Sequence, residues 1–99
     1  MDAQIEAARL VTRRAAFMLD QKIPNALEAS MAKAKAGRVA NHITLRCLQL
    51  CAASGVTETE LLEKWSRDSK ILDIFEGTQQ IQLLIIARRI LGKSSAELR

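Results

Sequence analysis

"DIFEGTQQIQLLIIARRILG", residues 73–92, is apolar along most of its length, yet Glu76, Gly77 and Thr78 stand together inside it. Glycine is among the weakest helix formers, and a carboxylate beside Ile74 and Phe75 is costly to bury. The trio therefore marks a break between elements. Thr78 is a good N-cap, and Gly77 before it tolerates backbone angles that other residues resist. "IQLLIIA" beyond it is apolar almost all round, so a last helix starting near Thr78 is expected to be buried on most sides.

Chemistry gives the break a second meaning. A carboxylate just before a helix N-terminus, flanked by Ile74 and Phe75, would be partly desolvated, the setting a general base needs. Gly77 lets a ligand approach the backbone, and free N–H groups at a helix start suit an anion or the polar edge of a cofactor. The competing reading is a solvent-facing glutamate in a helix break.

Working outward, three more helical segments are legible. The first covers residues 2–20, with Asp2 as N-cap and Ala8, Val11, Ala15 and Met18 on one stripe. Pro24 in "QKIPN" then makes the turn. The second runs from Asn25 to Ser54, with a stripe of Ala29, Ala32, Ala36, Ala40, Ile43, Cys47 and Leu50. Its small residues and Gly37 permit close approach of a neighbour, and Gly55 is the expected stop. The third lies within "TETELLEKWSRDSK", where Thr57 and Glu60 have capping-box spacing and Trp65 is the expected core anchor. The tail from Gly92 is polar and expected to fray. An all-α, antiparallel helical bundle follows.

Composition narrows the classes. One small domain of 99 residues, 48% hydrophobic but only 3% aromatic, builds its core from Ala, Leu and Ile. The net charge of +4 is spread along the chain in pairs such as Arg13-Arg14 and Arg88-Arg89. A nucleic-acid binder would concentrate it on one face, so no nucleic-acid partner is expected. No uninterrupted apolar run is long enough for membrane insertion, and the first twenty residues do not read as a secretory signal. Cys47 and Cys51 share a helix face as packed thiols, His42 lies off that face, and no metal site is formed. The chain reads as intracellular.

"RDSKILDIFEGTQQIQLLIIARRILG" resembles the C-terminal segment of the acyl-CoA dehydrogenases, where an aromatic-Glu-Gly-Thr motif is followed by Gln and Ile. "AARLVTRRAAFMLDQ" is similar to the first helix of that domain, and "ASMAKAKAGRVANHITLRCLQLCAASG" to its long second helix. The resemblance makes residues 1–92 the C-terminal helical domain and 93–99 a polar tail.

The resemblance implies FAD as cofactor, an acyl-CoA thioester as substrate, and α,β-desaturation as the reaction. Glu76 matches the base that removes the α-proton, and its backbone N–H helps hold the thioester carbonyl. Gly77 matches the residue packed against the substrate; Thr78 and Gln80 match FAD contacts. Branches that carry the base on another helix lack this glutamate. At the end of the long helix the family has a glutamine, two residues, a Gly-Gly pair and another glycine, close to the FAD pyrophosphate of a neighbouring subunit. Here Gln49 and Gly55 stand, with Ala52 and Ala53 replacing the pair, so Gln49 and Ala53 are the matching FAD positions. An electron-transfer flavoprotein as electron acceptor, a homo-oligomer (dimer or tetramer), and a cytoplasmic or, in a eukaryote, mitochondrial-matrix location are implied in turn. The chain lacks the other two domains of such an enzyme and is expected to be inactive alone. The alternative is a non-catalytic helical interaction module derived from that fold.

Overall fold

The computed structural model describes residues 1–94, 96 and 97, and among them there is no strand. The helices are α1 (Asp2–Asp20), α2 (Ala26–Gly55), α3 (Leu62–Asp68) and α4 (Gln79–Leu91), with a 3-10 turn over Ser69–Asp73 between the last two. The antiparallel all-α architecture is as expected. α2 is the spine: its 26 residues ahead of Ala52 span about 39 Å, against a longest extent of 48 Å for the molecule. α1 packs on one side of it, and α3, the 3-10 turn and α4 on the other.

α1 buries Ala8 and Ala15 from the expected stripe. Asp2 does not cap it. Met1 holds the N-cap position, and Asp2 is the first helical residue, where its charge complements the helix dipole. The turn at 21–25 is closed by Asn25, whose amide donates to the Ala15 carbonyl at 2.8 Å.

α2 buries Ser30, Ala32, Ala34, Gly37 and Val39, whereas Ala29 and Ala36 of the expected stripe are exposed. A single stripe was the wrong pattern because α2 is packed on two sides, so its buried positions are spread around the helix. Gly37 is the point of closest approach. A Cβ there would lie 2.9 Å from Asp73 Oδ1 and 3.0 Å from the Leu72 carbonyl oxygen, so the 3-10 turn rests directly on it. Beside it, Asn41 Nδ2 donates to the Ser69 carbonyl at 2.8 Å, and the Thr44 and Ser69 hydroxyls pair at 3.0 Å.

The end of α2 departs from expectation. Gly55 is its last residue but not a left-handed stop; it is buried, and a Cβ would meet the Leu48 carbonyl oxygen at 2.9 Å. The helix is instead broken at Ala52 (φ 49°, ψ −127°). Thr57 and Glu60 form no capping box: the Thr57 hydroxyl donates to the Ser54 carbonyl at 2.7 Å, closing α2, and α3 starts only after Leu61. Trp65 is 52% exposed, because seven-residue α3 leaves its outer face uncovered.

α4 starts after Thr78, as expected, but buries no residue completely, and Ile81, Leu83, Ile90 and Leu91 are all exposed. Its packing face rests chiefly on α2, so the apolar remainder faces outward. The radius of gyration is 16.2 Å, against about 13 Å for a compact domain of this length. The surface of 7124 Å² exceeds the roughly 5,600 Å² of a compact monomer of this mass. In the tail, Ser95, Leu98 and Arg99 lie outside the described residues, and the Glu97 carboxylate accepts from Ser94 N at 2.7 Å.

Candidate active site at the start of the last helix

Glu76, Gly77 and Thr78 follow the 3-10 turn and precede α4, and the Thr78 carbonyl accepts from Gln82 N at 3.0 Å to open the α4 ladder. Glu76 has φ 53° and Gly77 φ 96°, so two successive residues are left-handed. Glycine takes that conformation freely, and glutamate does so at a cost. The turn lifts the chain off α2 and re-aims it into α4. Thr78 then caps α4, its hydroxyl accepting from Ile81 N at 3.3 Å.

Two glutamines not singled out from the sequence hold this turn. Gln79 Nε2 donates to the Ala34 carbonyl of α2 at 3.1 Å, anchoring the first residue of α4. Gln82 Nε2 donates to the Glu76 carbonyl at 3.3 Å and lies over Gly77, where a Cβ would meet it at 2.5 Å. The sequence shows them only as polar residues ahead of an apolar run, with nothing in their spacing to name their partners.

Glu76 itself is exposed, as are Ile74 and Phe75. The partial desolvation expected from its apolar neighbours is therefore absent, because those side chains point to no cover within these residues. Gln80 is exposed two residues beyond the cap, in the first turn of α4. The structure thus gathers Glu76, Gly77, Thr78 and Gln80 at one place, opposite Ala34 and Gly37 of α2.

Gln49 and Ala53 stand elsewhere. Twelve residues of helix separate Gly37 from Gln49, about 18 Å. Both are exposed, and Gln49 Oε1 accepts from Arg46 Nη1 at 3.2 Å. Between them Ala52 adopts angles that glycine favours, so the chain kinks there while a Cβ projects from the kink.

The whole chain up to Leu91 carries a recognisable pattern: residues 1–91 match the sequence model of the acyl-CoA dehydrogenase C-terminal domain. The chain belongs to this family. It is 46% identical over 90 residues to the short/branched chain specific acyl-CoA dehydrogenase, mitochondrial, of Bos taurus, covering 91% of this chain and 21% of that protein. Butyryl-CoA dehydrogenase from Megasphaera elsdenii superposes with a TM-score of 0.89 at 34% identity, over 92% of this chain and 24% of that one. A chain in the structure of the electron transferring flavoprotein of Acidaminococcus fermentans gives 0.91 at 33% identity, over 94% and 24%. This acyl-CoA dehydrogenase domain thus spans between a fifth and a quarter of the length of its relatives. The matched range contains the Glu76 turn, the Gln79 anchor and the broken end of α2.

Proposed function

We propose that this domain supplies the base of an FAD-dependent acyl-CoA dehydrogenase, with Glu76 removing the α-proton of an acyl-CoA thioester. The observation that carries the reading is the built turn. A glutamate is held left-handed on an exposed elbow, just ahead of a helix N-terminus, in a chain whose family acts on acyl-CoA. Such an elbow aims a carboxylate and a backbone N–H outward together, toward whatever seats against it. FAD, when bound, supplies the acceptor for the hydride that leaves Cβ. As the α C–H and β C–H bonds break, the Cα–Cβ double bond forms, and the proton stays on Glu76.

The residues present fit the cofactor. Thr78 and Gln80 sit beside the elbow and would hold the flavin end. Gln49 and Ala53, exposed on the distant end of α2, would meet the pyrophosphate of a neighbouring subunit's FAD. Electrons would pass on to an electron-transfer flavoprotein.

Glu76 needs cover to be a base of useful strength, and these residues leave it exposed. In this reading the cover, the acyl pocket and most of the flavin site come from the three quarters of the enzyme that lie outside the chain. The purified 99-residue chain, given FAD, butyryl-CoA and a dye acceptor, is expected to show no turnover. In a complete dehydrogenase carrying this domain, anaerobic butyryl-CoA or a branched short acyl-CoA is expected to bleach the flavin absorbance. Absence of bleaching by any acyl-CoA would overturn the reading.

One observation favours a second reading, a helical interaction module without flavin. Ala52 places a Cβ on a kink of glycine shape, beside the proposed pyrophosphate contacts. Flavin content of the complete protein separates the two: the module would purify colourless.

A further inference from the structure

We propose that Gln82 is a positioning residue for the Glu76 base, holding its peptide unit through the bond from Gln82 Nε2 to the Glu76 carbonyl. The inference rests on the assignment of Glu76 as base and adds a residue to it.

Glu76 pays for its left-handed backbone, a conformation that lasts only where the surroundings enforce it. The structure shows one side-chain donor reaching that peptide. Gln82 lies on α4 four residues beyond the cap, half-buried, and its side chain folds back over the helix start. Its Nε2 stands 3.3 Å from the Glu76 carbonyl oxygen. The same nitrogen occupies the space over Gly77, where a Cβ would come within 2.5 Å of it.

Gly77 and Gln82 are therefore two halves of one device. The missing side chain makes room for the amide, and the amide orients the 76–77 peptide. Holding that peptide restrains ψ of Glu76, and with it the Cα from which the side chain projects, so a loss of the amide misdirects the base while leaving α4 intact. Gln79, anchored to Ala34 instead, fixes the position of the helix and not the aim of the elbow.

The test uses a complete dehydrogenase carrying this domain, with butyryl-CoA as probe and three variants. Gln82→Met keeps the length and removes the donor; Gln82→Glu keeps the shape and reverses the donor into an acceptor. Glu76→Gln tests the underlying assignment separately. The expected result is a fall in kcat of about tenfold for Gln82→Met, with KM within about threefold and flavin content unchanged. Gln82→Glu should fall further, since two acceptors then face each other. Should Gln82→Met lose flavin or fail to fold, Gln82→Asn, which keeps the amide one methylene short, carries the same expectation. A kcat within about twofold of wild type in a folded Gln82 variant, with Glu76→Gln inactive, would overturn the role of Gln82 alone. An active Glu76→Gln would overturn both.

Discussion

The side-chain amide of Gln79, first residue of α4, donates to the main-chain carbonyl of Ala34, in the first third of α2, at 3.1 Å. This bond joins residues 45 positions apart and sets where the last helix begins. Replacing Gln79 by Leu should cost about 1 kcal/mol, the net worth of one partly buried hydrogen bond. Thermal melting of the chain should fall by roughly 4–8 °C for that loss. An unchanged melting temperature would mean that α4 is placed by its apolar face alone.

Gly37 is the second fixed point. An added Cβ would come within 2.9 Å of Asp73 Oδ1 and 3.0 Å of the Leu72 carbonyl oxygen, so Gly37→Ala must push the 3-10 turn away from α2. A destabilisation of about 1–3 kcal/mol is expected from overpacking of this kind. Urea unfolding of the two proteins reads it directly. Because the displaced turn leads into Glu76, the same change should lower activity in a complete enzyme.

Ala52 gives a prediction of opposite sign. At φ 49° and ψ −127° an alanine carries strain that a glycine does not. Ala52→Gly should therefore raise stability by about 1 kcal/mol, after the greater chain entropy of glycine in the unfolded state is offset. A lower urea midpoint would show that the kink at the end of α2 is not maintained in solution.

α1 and α2 were legible from apolar periodicity and α4 from an apolar run, with Pro24 marking the turn after α1 and Thr78 the start of α4. The helix α4 was read correctly in place but not in burial. "IQLLIIA" reports apolar surroundings without saying whether this chain provides them, and here it does not. Trp65, Ile74 and Phe75 misled in the same way: each implies a packing partner, and α2 alone cannot reach them. The capping-box spacing of Thr57 and Glu60 was a local signal outweighed by the bond from the Thr57 hydroxyl to the Ser54 carbonyl and by the left-handed Leu61 that precedes α3. Glu76, Gly77 and Thr78 stood out as a break in an apolar run. Gln79 and Gln82 did not, since their bonds depend on α2 and on a left-handed turn that no spacing announces.

α3 carries a pH-sensitive contact. The hydrogen bond and charge of Arg67, one helical turn away, hold the Glu63 carboxyl below the usual glutamate range, and Arg67 Nη2 donates to Glu63 Oε2 at 2.9 Å. A folded-state value below the unfolded one adds stability above the unfolded value and loses it as pH falls through the folded one. Glu63→Gln should therefore lower α3 protection in amide exchange at neutral pH and have no effect once the medium is more acidic than both values. Salt should weaken the difference, because both side chains are in water. A difference that persists in strong acid would contradict the assignment.

The central claim is that Glu76 is the base, and one measurement addresses it with least interference. In a complete dehydrogenase carrying this domain, the rate of flavin bleaching by butyryl-CoA is compared between the native protein and Glu76→Gln. The amide keeps the shape of the elbow but cannot take a proton, so bleaching should slow by about a hundredfold or more while butyryl-CoA binding persists. Bleaching at a rate within about threefold of the native protein would show that another group removes the α-proton, and that the elbow at Glu76 serves only the start of α4.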